Sequence, residues 1–192
     1  MPAIRTTLHG KVLGLAHDNS LVLTGKSIYL DNDGTPTAAL RVGSDKVIAA
    51  GSTKTLSVAD DGGKVVKLDT LTGSVVTLPA ATGSGARFRF LVSALATSNS
   101  HKIQVANASD YMIGIITGAR VDSGNAVLGF AAANSGTVAT NSDTITLNRT
   151  TTGSVSVGEW VEVEDVAANV WAVSGVLSAT GAAFATPFSA AV

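Results

Sequence analysis

Cysteine is absent from these 192 residues, which removes disulfide frameworks, thiolate metal sites and a cysteine nucleophile together. Charge is scarce too. Asp, Glu, Lys and Arg make up 14% of the chain, where globular domains carry about one quarter. A chain so poor in Lys and Glu lacks the side chains that solvate the outer faces of helices. Aromatics contribute 5% and there are four prolines. The thirteen Lys and Arg are scattered against fourteen acids for a net charge of −1. No basic stripe forms, so neither nucleic acid nor a membrane surface is an expected partner. The opening Met1-Pro-Ala-Ile-Arg-Thr-Thr-Leu-His-Gly10 lacks the basic-then-apolar order of a secretory signal. No run approaches the roughly eighteen apolar residues of a membrane helix. Synthesis in the cytoplasm is the expectation.

What is present suits strands. Hydrophobic residues are 45% of the chain, mainly Ala, Val and Leu, and Ser, Thr and Gly fill most of the rest. Strand outer faces then carry hydroxyls in place of charges. Short alternating runs recur between clusters of Gly, Asn, Asp and Ser, the spacing of sandwiches and barrels. Thr53-Lys-Thr-Leu-Ser-Val58, the turn Asp60-Asp-Gly-Gly63 and Lys64-Val-Val-Lys-Leu68 read as a hairpin. Gly73-Ser-Val-Val-Thr-Leu-Pro79 is a strand closed by its proline. In Ala86-Arg-Phe-Arg-Phe-Leu-Val92, Phe88 and Phe90 should point to one face and Arg87 and Arg89 to the other.

His101 to Val105, Tyr111 to Thr117 and Thr144 to Asn148 continue the pattern. Trp160-Val-Glu-Val-Glu164 and Val170-Trp-Ala-Val173 flank a turn-like Asp165-Val-Ala-Ala-Asn169. No stretch shows a capped helical period. The expected fold is all-β: an antiparallel β-sandwich or barrel-like knob over residues 51–192, with little helix. Residues 1–50, with short apolar pieces such as Val12 to Ala16 and Leu21 to Leu23, are expected to form an extended N-terminal arm or small β region.

Several motifs invite chemical readings. Thr24-Gly25-Lys26-Ser27 ends like a phosphate-binding loop, but Ser20 stands where its first glycine is needed. Asp31-Asn-Asp33-Gly34 resembles the middle of a calcium loop. Aligning Gly34 with that loop's glycine puts Tyr29 and Leu40 at its first and last ligand positions, so an Asx-rich turn is the better reading. Glu159, Glu162 and Glu164, with Asp165, hold every glutamate of the chain. Paired carboxylates beside Trp160 could serve acid–base chemistry on a sugar, although a solvated strand face or a subunit contact explains them as well. His9, His17 and His101 stand far apart, with neither a His-x-x-x-His pair nor a Gly-x-Ser-x-Gly elbow. Asn107-Ala-Ser109 and Asn148-Arg-Thr150 match a glycosylation pattern that means little without a secretory signal. No catalytic residue, metal ligand or cofactor is assigned, and enzymatic activity is not expected.

Two segments carry a resemblance. Gly73-Ser-Val-Val-Thr-Leu-Pro-Ala-Ala-Thr-Gly-Ser-Gly-Ala86, continuing through Phe88-Arg-Phe-Leu-Val92 to His101-Lys-Ile-Gln-Val-Ala-Asn107, resembles a β-rich module of bacteriophage virion proteins. These include capsid decoration (cement) proteins and head-fibre-like proteins. Gly158-Glu-Trp-Val-Glu-Val-Glu-Asp-Val-Ala-Ala-Asn-Val-Trp171 and the closing Ala185-Thr-Pro-Phe188 are similar to the end of such proteins. The resemblance implies a homotrimer on the outer capsid surface whose partners are the major capsid protein and its own copies. Residues 1–50 would grip the shell and residues 51–192 would project. It fixes no functional residue. The alternative is a tail fibre or spike that binds host glycans, yet no fibrous repeat or coiled-coil stem is visible.

Overall fold

The computed structural model describes residues 46–122, 126–135, 137–180 and 184–192, together with four short strands nearer the N-terminus. The chain divides into two compact units, Met1–Ser44 and Asp45–Val192. In the first, β1 (Thr6–Leu8) pairs antiparallel with β2 (Lys11–Leu13), and β3 (Ile28–Tyr29) with β4 (Ala39–Leu40). His9, His17, Thr24–Ser27 and Asp31–Gly34 lie outside the described residues.

The second unit is the expected all-β sandwich. Its strands are β5 (Val47–Ala49), β6 (Thr53–Thr55), β7 (Val65–Leu68), β8 (Val75–Thr77), β9 (Arg87–Val92) and β10 (His101–Gln104). There follow β11 (Tyr111–Arg120), β12 (Val127–Ala131), β13 (Thr144–Leu147), β14 (Trp160–Ala167), β15 (Val170–Ala179) and β16 (Phe188–Ser189). One sheet runs β12-β11-β15-β14-β9-β7-β5 and the other β16-β13-β10-β8-β6. Among the described residues, helix is confined to α1 (Val58–Asp61) and one 3₁₀ turn, Val138–Thr140.

Both sheets of the sandwich are mixed, with parallel pairs beside the antiparallel ones. From β5 to β10 the chain changes sheet at every strand. β5, β7 and β9 therefore run parallel in one sheet, and β6, β8 and β10 run parallel in the other. Parallel neighbours need a long crossover, and here the strand in the opposite sheet supplies it. The result is a flattened coil of three two-stranded turns. The hairpin expected over 53–68 does not form: β6 pairs with β8, and β7 lies between β5 and β9. Asp60 and Asp61 belong to α1, whose N-cap Ser57 accepts the Asp60 N–H at 3.0 Å. Antiparallel pairing dominates the second half, where β14 and β15 form a hairpin; the turn-like stretch expected at Asp165–Asn169 is shorter, because β14 runs on to Ala167.

Between the sheets lies one apolar core. Phe88, Phe90, Val161 and Val163 enter it from the larger sheet, and Val76, Ile103, Ile145 and Leu147 from the smaller. Each such side chain contributes about 1.5–3 kcal/mol on burial. Phe88 and Trp171, both fully buried, meet at a ring-centroid distance of 5.9 Å with planes tilted by 53°. The predicted alternation holds: Phe88 and Phe90 face inward while Arg87 and Arg89 are exposed.

Candidate functional site

The acidic segment 159–165 lies on β14 and the turn before it, and the strand's alternation divides it. Val161, Val163 and Asp165 point into the sandwich, while Trp160, Glu162 and Glu164 share the outer face. Register sets Glu162 opposite Arg89 and Glu164 opposite Arg87. Arg87 Nη2 reaches Glu164 Oε2 at 2.9 Å. The guanidinium also donates to Glu164 Oε1 at 3.0 Å, and this hydrogen bond, reinforced by the charge of Glu164, holds Arg87 above its usual range. The Arg89 guanidinium carbon sits 4.6 Å from the centre of the Trp160 ring. Each feature that suggested sugar chemistry thus has a partner across the strand pair. Glu164 is ion-paired, Glu162 faces a cation, and one face of the indole is covered by Arg89.

The inward acids act on the backbone. Asp165 is buried and caps the loop between β8 and β9. It accepts from the N–H groups of Thr82 (3.0 Å), Gly83 (2.7 Å) and Ser84 (2.9 Å), and from the hydroxyls of Thr82 (3.2 Å) and Ser84 (2.7 Å). Burial pushes its pKa up, but the bonds from Ser84, Gly83 and Thr82 outweigh this and bring it down to about 2. Glu159 does the same for the turn before β14. It accepts from Ser154 N–H and Val155 N–H, both at 2.7 Å, from Ser156 N–H at 2.6 Å and from the Ser178 hydroxyl.

The pattern extends around the sandwich. Asp143 receives the N–H groups of Ala191 (2.7 Å) and Val192 (3.1 Å). Asp110 receives that of Ala81 at 3.1 Å, Asp61 that of Ser57 at 3.1 Å and Asp69 that of Gly51 at 3.0 Å. Asn148 Oδ1 accepts from Thr150, Thr151 and Thr152, so this glycosylation-like triplet is an Asx-type turn. In a chain with few charges, most buried acids fix loops. Sequence reasoning missed this role because the partner of Asp165 lies some eighty positions away.

His101 is a buried cross-brace. Its Nδ1 accepts the Ser74 N–H at 2.9 Å, which leaves Nε2 to donate to the Ala94 carbonyl at 2.9 Å. Desolvation lowers its pKa, and the Ala94 bond offsets that only in part. The imidazole is held neutral and serves the fold.

One open groove of about 600 Å³ lies beside the ends of β6 and β8, lined by Ser52, Thr72, Gly73, Ser98, Asn99 and Lys102 among others. Its lining is hydroxyl-rich and holds neither an aromatic ring nor a carboxylate. Among the described residues, no three His, Asp or Glu side chains converge on a common metal position. No helix among them is long and apolar enough to cross a membrane.

No family model, no curated protein and no solved structure matches this chain.

Proposed function

We propose that this chain is a structural component of a bacteriophage particle, a decoration protein that binds the outer surface of the capsid and stabilises the head. Self-association in threes is part of the reading, as the resemblance implies. The observation that carries it is the use made of the acids. Asp165, Glu159, Asp143 and Asp110 accept loop N–H groups, and Glu164 is matched by Arg87 across the sheet. Such a chain directs its polar chemistry to holding a rigid shape. Braced loops on a charge-poor sandwich suit a protein whose work is contact, because little charge has to be desolvated when it docks. The sugar chemistry weighed for the carboxylates beside Trp160 is less well supported, since Arg89 already covers one face of the ring and Glu164 is ion-paired.

The test is co-sedimentation with phage heads assembled without this protein. Saturable binding at a fixed number of copies per head supports the reading, and no binding at any concentration contradicts it. A chain lacking residues 1–25 should lose occupancy if the first fifty residues grip the shell. Full occupancy would assign attachment to the sandwich instead.

A further inference from the structure

Four strands form the outer edges of the two sheets: β12 and β5 in the larger, β16 and β6 in the smaller. An edge presents unpaired N–H and C=O groups, and proteins usually guard it with Lys, Pro or brevity. β6 carries Lys54, β16 is two residues long and follows Pro187, and β5 is three residues long and follows Lys46. β12 has no such guard. Its sequence Val127-Leu-Gly-Phe-Ala131 contains neither charge nor proline, and Val127 and Leu128 are 64% and 44% exposed.

The ladder to β11 determines which backbone groups are open. Arg120 N–H donates to the Ala126 carbonyl and Ala132 N–H to the Gly114 carbonyl, both at 3.0 Å. With the register Gly118 to Leu128 and Ile116 to Phe130, the even-numbered residues of β12 face β11. Val127, Gly129 and Ala131 turn their N–H and C=O groups to the open side.

We infer that this edge docks the β12 strand of a second copy, antiparallel about a two-fold axis at Gly129, joining two seven-stranded sheets into one. Only an extended strand matches alternating donors and acceptors. An edge without charge gives a charged partner strand nothing to pair with, whereas β12 fits itself. Antiparallel pairing about Gly129 sets Val127 against Ala131 on the outer face and Leu128 against Phe130 on the inner. Glycine meets glycine at the axis. The outer face beside the joint is apolar as well: Ile115, opposite Ala131, is 58% exposed, and Val176, one strand further in, is 43% exposed.

One strand pair of this length buries less than the roughly 800 Å² per partner of a standard interface. A weak, concentration-dependent contact is expected, because so small an area leaves little surplus over the cost of association. On the proposed reading, neighbouring copies held on a shell experience a far higher effective concentration, so the contact would link them laterally. The pairing itself does not depend on that reading, and a three-fold contact elsewhere on the chain would coexist with it.

The experiment is sedimentation of the full chain between roughly 1 and 200 µM, a window set by the small area. The expected result is a doubling of the mass found at the lowest concentration. Val127→Lys and Gly129→Pro should each weaken that doubling at least about tenfold, since both act on the open edge. Both sites accept a side chain, because Val127 is exposed and a Cβ at Gly129 meets only Ile115 Cγ2 at 3.5 Å. Val47→Lys, on the edge strand β5, should leave the association unchanged. In hydrogen exchange, the amides of Val127, Gly129 and Ala131 should slow as concentration rises. A mass constant across the window, or a doubling that Val127→Lys leaves intact, overturns the inference. Binding of Val127→Lys to heads reports separately on the proposed function.

Discussion

Ser84 donates twice to Asp165, through its N–H at 2.9 Å and its hydroxyl at 2.7 Å, across 81 positions of sequence. This pair ties the loop before β9 to the far end of β14, and three further donors from Thr82 and Gly83 complete the cage. Asp165→Asn replaces an acceptor oxygen by a donor that faces these N–H groups. It should cost about 2–4 kcal/mol in urea unfolding.

Acid should weaken the same clamp. The folded pKa of about 2 lies below the ordinary aspartate value of 3.8, so the stabilisation is present above pH 3.8 and fades as pH falls through 2. Its size is about 2 kcal/mol. Comparing wild type with Asp165→Asn at pH 5 and pH 2 isolates it: the difference between them should shrink at the lower pH.

His101 adds a second acid response at milder pH. Its folded pKa is lowered, so the neutral form is favoured in the folded state. That contribution is complete above the unfolded value near 6.5 and is lost as pH falls toward the folded one. Protonation would also set an N–H at Nδ1 against the Ser74 N–H. An NMR titration should find His101 titrating below the usual histidine range. His101→Ala should cost about 2–4 kcal/mol by leaving the Ser74 N–H and Ala94 carbonyl unpaired, and it should remove this step from the pH profile.

Two glycines in neighbouring strands should respond oppositely to alanine. Gly114 has φ +120°, and a Cβ there would lie 2.1 Å from the Val173 carbonyl oxygen. Gly114→Ala should destabilise by several kcal/mol, whereas Gly129→Ala, with ordinary contacts only, should stay within about 1 kcal/mol. Thermal melts of the two variants check this.

The indoles should separate in fluorescence quenching. Trp171 is fully buried, and Trp160 is half-buried beneath Arg89. Arg89→Ala should make Trp160 more accessible to acrylamide while Trp171 stays shielded. Equal quenching in wild type and variant would mean that the cation does not cover the ring in solution.

Period-two alternation made faces legible in the sequence and left partners hidden. Phe88 and Phe90 against Arg87 and Arg89, and Val161 and Val163 against Glu162 and Glu164, follow from strand geometry alone. Nothing local shows that β7 lies between β5 and β9, so Lys64–Leu68 looked like the return strand of a hairpin. Choosing between a tight turn at Asp60–Gly63 and a crossover through another sheet needs tertiary contacts. Asp165 was legible as part of the turn-like stretch before β15, but its loop partner was not, because the bond spans most of the fold. The same holds for His101, whose braces at Ser74 and Ala94 come from two separate loops.

The most direct measurement of the central claim is the heat stability of phage heads with and without this protein bound. Heads saturated with the chain should release DNA or dissociate at a higher temperature than bare heads, and Asp165→Asn, with its loosened loop, should protect less. Unchanged thermal release at full occupancy would contradict the proposed stabilising role.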